Sequence, residues 1–241
     1  MLKRLLILMA LVVPMGVLAT LPASVVLPQA ADGLHFQSVE GTIWSGRAKL
    51  AFPKQAPLPM RWEWSGGLIW SWAVESDEIS VQGQWRLGQR DRLEHIEGTV
   101  DIEYLDIAQW LVVIWPVGQM EVNIDHLTWE ANSFLHIHGE LYWPQAKLRG
   151  LVNEDLGDIT ITMSPSEQQW DETDFVVRSS ADGIVGISGG VSTNGDRYRA
   201  SLVLKPRADR RELLRLLAPF GRQGDGGVRI ERSGKLGVFD E

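Results

Sequence analysis

Apolar and polar residues alternate with a period of two along much of the chain, and that pattern predicts strands with one wet face. Ile79, Val81, Trp85 and Leu87 fall on one side of such a strand, with Ser80, Gln82, Gln84 and Arg86 on the other. Val100, Ile102 and Tyr104 oppose Thr99, Asp101 and Glu103; Ile159, Ile161 and Met163 alternate with Thr160 and Thr162. Leu135, Ile137, Leu141 and Trp143 oppose His136, His138, Glu140 and Tyr142, and Tyr198, Ala200, Leu202 and Leu204 form a further face. Between Val122-Ile124 and Leu127-Trp129 the apolar phase slips by one residue, which predicts a bulge near Asp125 and His126. Turns are expected at Ser65-Gly66-Gly67, Ala181-Asp182-Gly183 and Asn194-Gly195-Asp196. The fold class is therefore mainly β, a large antiparallel sheet.

Two segments carry helical spacing instead. Leu105, Ala108, Leu111, Val112 and Trp115 predict a short helix over 105–115, stopped by Pro116. Leu213, Leu214, Leu216 and Leu217 predict another over 209–220, with Asp209 as N-cap and Gly221 past its end. Each helix sits in the same order of strand, helix, proline-glycine break and strand, from Glu97 to Asp125 and from Tyr198 to Glu231. That recurrence points to an internally duplicated half-domain, with one β-rich half over 32–118 and a second over 119–241.

The first 31 residues differ from all of this. Lys3 and Arg4 precede an uncharged run that lasts until Asp32. Its apolar part, Leu5 to Leu21, includes Leu6, Ile7, Leu8, Leu11, Val12, Val13, Val17 and Leu18. A membrane-spanning helix needs ~20 apolar residues, whereas a signal-peptide core needs ~7–15. Length favours an anchor that contacts the lipid bilayer over a cleaved signal, for which Val17-Leu18-Ala19 would supply small residues. Either way the cations ahead of the run leave the amino terminus in the cytoplasm and the bulk of the chain across the membrane.

Composition narrows the chemistry. Cysteine is absent, which removes thiol catalysis, disulfides and cysteine-ligated metals. Past the uncharged run, 21 cations face 31 anions, the reverse of a nucleic-acid footprint. His136, His138 and Glu140 share a strand face and offer a three-ligand metal set, yet the wet face of an amphipathic strand produces the same triplet. Asp101 with Glu103, and Glu75 with Asp77 and Glu78, are paired carboxylates on polar faces or turns. No serine lies in a Gly-x-Ser-x-Gly elbow, and the glycines at 186–190 and 221–227 fit no phosphate loop. No catalytic residue, metal or cofactor is expected.

Tryptophan is the excess: 11 residues against 3 tyrosines. Trp62, Trp64, Trp70 and Trp72 flank the Gly66-Gly67 turn, so a symmetric hairpin would gather four indoles into a cross-strand cluster. Such a cluster is either part of an ordinary core or an exposed apolar surface.

Several of these stretches carry a family resemblance. The positive start, the uncharged span, Leu21-Pro22-Ala23, and the run Val39-Glu40-Gly41-Thr42-Ile43-Trp44-Ser45-Gly46-Arg47-Ala48 resemble the protein N family of the bacterial type II (general) secretion pathway. The tail from Gly195 to Arg207, the leucine-rich helix, Gly221 and Gly226 to Leu236 are similar to the same family. Gly41, Trp44 and Gly46 are the positions that carry the motif most clearly. The resemblance implies a single-pass inner-membrane protein with its bulk in the periplasm. It further implies a non-enzymatic accessory or assembly subunit that meets other secretion components as protein partners. A contrasting expectation, from the tryptophans and the one-sided strands, is a periplasmic lipid-handling protein with an apolar sheet groove.

Overall fold

The computed structural model describes residues 20–26, 35–51, 56–88, 92–105, 114–130, 133–150, 154–167, 169, 172–194, 197–207 and 213–235. Its contacts divide the chain into two compact units, Met1–Ser76 and Asp77–Glu241. The anchor residues Leu5 to Leu18 lie outside the described residues. Among those described, no helix is long and apolar enough to cross a membrane.

In the first unit a single helical turn, α1 (Ala23–Val26), precedes a four-stranded antiparallel meander. The strands are β1 (His35–Gly41), β2 (Ser45–Ala51), β3 (Leu58–Gly66) and β4 (Ile69–Glu75). The buried apolar residues are Ala23, Ala48, Ala51, Leu58, Ala73 and Val74. Four of the six are alanines, so bulk has to come from the tryptophans beside them.

The second unit begins with β5 (Ile79–Arg86) and β6 (Arg92–Asp101), followed by β7 (Ile114–Val117), β8 (Gln119–Glu130) and β9 (Ser133–Gly150). β10 (Glu154–Pro165), β11 (Thr173–Ser179), β12 (Val185–Thr193) and β13 (Arg197–Pro206) continue it. Helix α2 (Leu213–Leu217), β14 (Arg222–Gly224) and β15 (Gly227–Lys235) close it. All pairings are antiparallel, in the order β5-β6-β8-β9-β10-β11-β12-β13-β15-β14, with β7 on β9. Leu213 of α2 seals one core with Ala146, Leu156, Ile159 and Val185.

The alternation read from the sequence gives these strands, and the bulge is present: the β8–β9 register shifts between Ile124 and His126. Of the helix expected over 105–115, residues 106–113 lie outside the described residues, and only its ends need correction. Ile102–Leu105 is a 3-10 turn and Ile114–Val117 is a strand, with Pro116 opposite Leu148. Proline forces the residue before it toward extended backbone, which takes Trp115 out of any helix. Its missing N–H is tolerated because β7 pairs only with β9 among the described strands. Of the helix expected over 209–220, residues 209–212, with the N-cap Asp209, lie outside the described residues; α2 tightens at Ala218–Phe220 into a 3-10 turn that carries Pro219. The glycine-rich stretch after it is a hairpin, whose Asp225 and Gly226 both take positive φ, as a two-residue turn requires.

Candidate functional site

The residues that share the most unusual surroundings lie at one end of the first unit, where the β1–β2 and β3–β4 turns meet. Gly41 pairs with Gly46 across the first turn. Gly41 takes φ +98°, and a Cβ there would lie 2.5 Å from the Ser45 carbonyl oxygen, so only glycine fits. Thr42 holds the turn: its hydroxyl accepts from the Trp44 and Ser45 N–H groups at 3.2 and 3.3 Å, and its own N–H donates to the Ser45 carbonyl. A Cβ on Gly46 would run into the six-membered ring of Trp62 and the Glu40 carbonyl oxygen.

Across β3 and β4, Trp62 is opposite Trp72 and Trp64 opposite Trp70. The ring contacts run through Trp44, a residue the hairpin pattern alone does not include. Its indole meets Trp64 edge-on at 5.3 Å and stacks on Trp70 at 6.5 Å. Two indole N–H groups tie the hairpins together, Trp62 Nε1 donating to the Thr42 carbonyl at 3.1 Å and Trp70 Nε1 to the Ile43 carbonyl at 2.9 Å. Trp64 Nε1 donates to Gly67 at its own turn.

The start of the described chain docks on the same end. Leu21 accepts a hydrogen bond from the Ile43 N–H at 3.1 Å, and Pro22 bridges Thr42. Three uncharged segments therefore converge: Leu21-Pro22 from the first run, Gly41–Gly46, and 64–74. Their uncharged character is legible in the sequence; their meeting is not. Trp64 remains 44% exposed, Leu68 58% and Val25 71%, so the end presents apolar side chains to its surroundings.

The titratable groups of the polar strand faces lie in the second unit and at the end of the first. His138 Nδ1 sits 2.7 Å from Asp125, and its ring stacks on His126 across the β8–β9 bulge at 5.6 Å. Burial, then the neighbouring His138 and Arg92, hold His126 below the usual imidazole range. His136 lies opposite Thr128 and Glu140 opposite Asn123. No cluster of three or more metal-ligating side chains occurs among the described residues. Glu75 is paired with Arg61 at 2.7 Å, while Asp77 and Glu78 are exposed. Asp101 belongs to β6 and Glu103 to the 3-10 turn after it. Asp158 locks a bend in β9 by accepting from the Gln145 N–H and the Tyr142 hydroxyl. Those two bonds hold its carboxyl below the ordinary range, and the same hydroxyl bond pushes Tyr142 up.

A cavity of about 550 Å³ lies where β11, β12, β13 and β15 end, lined by Glu172, Arg197, Tyr198, Arg199 and Lys235 among others. Arg199 holds Glu172 at 2.9 Å. Ser192, also in the lining, donates its hydroxyl to the Asp174 carboxylate at 2.6 Å.

The family model for type II secretion system (T2SS) protein N matches residues 32–231. No curated protein and no solved structure matches the chain.

Proposed function

The chain belongs to the type II secretion system protein N family, and from that premise we propose that it is a non-enzymatic assembly subunit of the secretion machinery. It is tethered to the inner membrane by the run from Leu5 to Leu21 and holds its β-rich bulk in the periplasm, where it contacts other components of the system. Tethering raises the effective concentration of its surfaces toward other membrane-bound components.

The observation that carries this reading is the outer strand β1. Its first half, His35 to Gln37, is a regular ladder against Lys49 to Ala51, and its residues are mostly exposed. An exposed strand edge of this kind accepts a partner strand through main-chain hydrogen bonds. Beyond Gln37 the register shifts and Ser38 takes φ +50°, which confines such pairing to the first half. Of the other outer strands among those described, β14 is three residues long and β7 carries Pro116.

A clean deletion tests the proposal. Exported proteins should reach the periplasm folded and stay there; normal export under conditions that require the machinery overturns it.

A further inference from the structure

We propose that the apolar end of the first unit sits in the interfacial layer of the bilayer, with Trp64, Leu68 and Val25 as its contacts, and so fixes the orientation of the unit on the membrane. The occupant is lipid, on three grounds. The apolar stretch from Leu5 to Leu21 is 17 residues, about 25 Å if helical, and its last residues precede the strands of the meander. Its last residue, Leu21, accepts a hydrogen bond from Ile43 in the turn that carries Trp44, so the end of the span and the tryptophan cluster are one hydrogen bond apart.

The second ground is chemistry. Indole rings with an apolar body and a donating N–H are the side chains that favour the membrane–water boundary. Here Trp64 is exposed at the turn, beside Leu68, the most exposed large hydrophobic of the meander. The third is charge. From Trp64 to Val74 and from Gly41 to Gly46 there is no ionisable residue; Glu63 and the Glu40–Arg47 pair border these segments, and Lys49, the Arg61–Glu75 pair and His35 lie further along the same strands. The acidic bulk of the chain is repelled by anionic headgroups, so the uncharged end is the one that approaches them.

This inference rests on the tethered reading above, and one experiment separates the two. The chain has no cysteine, so single nitroxide labels can be placed on the full-length protein by Leu68→Cys, Val25→Cys and, as the aqueous reference, Lys49→Cys. Ser65→Cys gives a second label at the same turn should Leu68→Cys fail to fold. Each protein is reconstituted into vesicles of phosphatidylethanolamine and phosphatidylglycerol, floated, and probed for collisions with oxygen and with a neutral nickel chelate. The oxygen-to-nickel ratio at positions 68 and 25 should exceed that at 49 severalfold. Equal ratios in protein that floats overturn the interfacial contact and leave the tether standing. Protein that does not float overturns both. Dipolar broadening at position 68 that vanishes on dilution with unlabelled chain means a second copy covers the end, and also overturns the proposal.

Discussion

Gly46→Ala tests the packing of the tryptophan hairpins most sharply. Gly46 faces Gly41 on β1 and Trp62 on β3, and a methyl group there would collide with the Trp62 ring and the Glu40 carbonyl oxygen. The carbonyl is backbone and can retreat only by parting β1 from β2. The ring can retreat only by giving up its 3.1 Å hydrogen bond to Thr42. Overpacking of this kind costs ~1–3 kcal/mol, and the lost hydrogen bond about 1 kcal/mol more. The variant should therefore lose about 2–4 kcal/mol in urea unfolding followed by tryptophan emission and circular dichroism. Gly224→Ala is the control, because nothing lies within 4 Å of its Cβ position, and it should stay within ~0.5 kcal/mol of the wild type. In a Trp62→Phe background, which removes part of the obstructing ring, the cost of Gly46→Ala should fall by about 1 kcal/mol. Equal losses for the two glycine variants, or strict additivity with Trp62→Phe, would refute the collision.

Two further outcomes are expected. Glu94 is 12% exposed and paired with Arg86 at 2.9 Å and Arg92 at 3.4 Å; burial pushes its carboxyl up, but the two guanidiniums outweigh that and hold it below the usual range. A lowered carboxylate contributes stability at neutral pH that is lost as pH falls through its folded value. Glu94→Gln should thus cost about 1–2 kcal/mol at pH 7, with the gap to wild type closing in acid; a gap independent of pH contradicts the ion pairs. Proline placed at Phe36 and Gln37 in turn tests the β1 edge, because successive residues of an antiparallel strand point their N–H groups to opposite sides. The outward position should abolish capture of secretion components and spare the fold, and the inward one should weaken the β1–β2 ladder; undiminished capture by both excludes strand addition.

The sheet was legible because each strand has one wet face, as at Ser80, Gln82 and Arg86. The bulge at Asp125 was legible because a one-residue slip moves every later apolar side chain to the other face. Ile114 and Trp115 are strand where the end of a helix is expected, because a short apolar run fits a helix or a buried strand equally well and only the pairing with β9 decides between them. At the candidate site, the pairs Trp62–Trp72 and Trp64–Trp70 followed from hairpin symmetry. The place of Trp44 between Trp64 and Trp70 did not, because it depends on a second hairpin folding beside the first. Nor did the docking of Leu21 and Pro22 on Ile43 and Thr42, which joins residues 22 and 20 positions apart with no local pattern.

The central claim is that the chain contributes surface to an export machine and performs no reaction of its own. It is tested most directly by the fraction of an exported enzyme's activity found in the periplasm, before and after the chain is removed and again when it is restored. Active enzyme should accumulate inside the outer membrane on removal and return to the medium on restoration. Export that continues at the wild-type rate without the chain would contradict the claim.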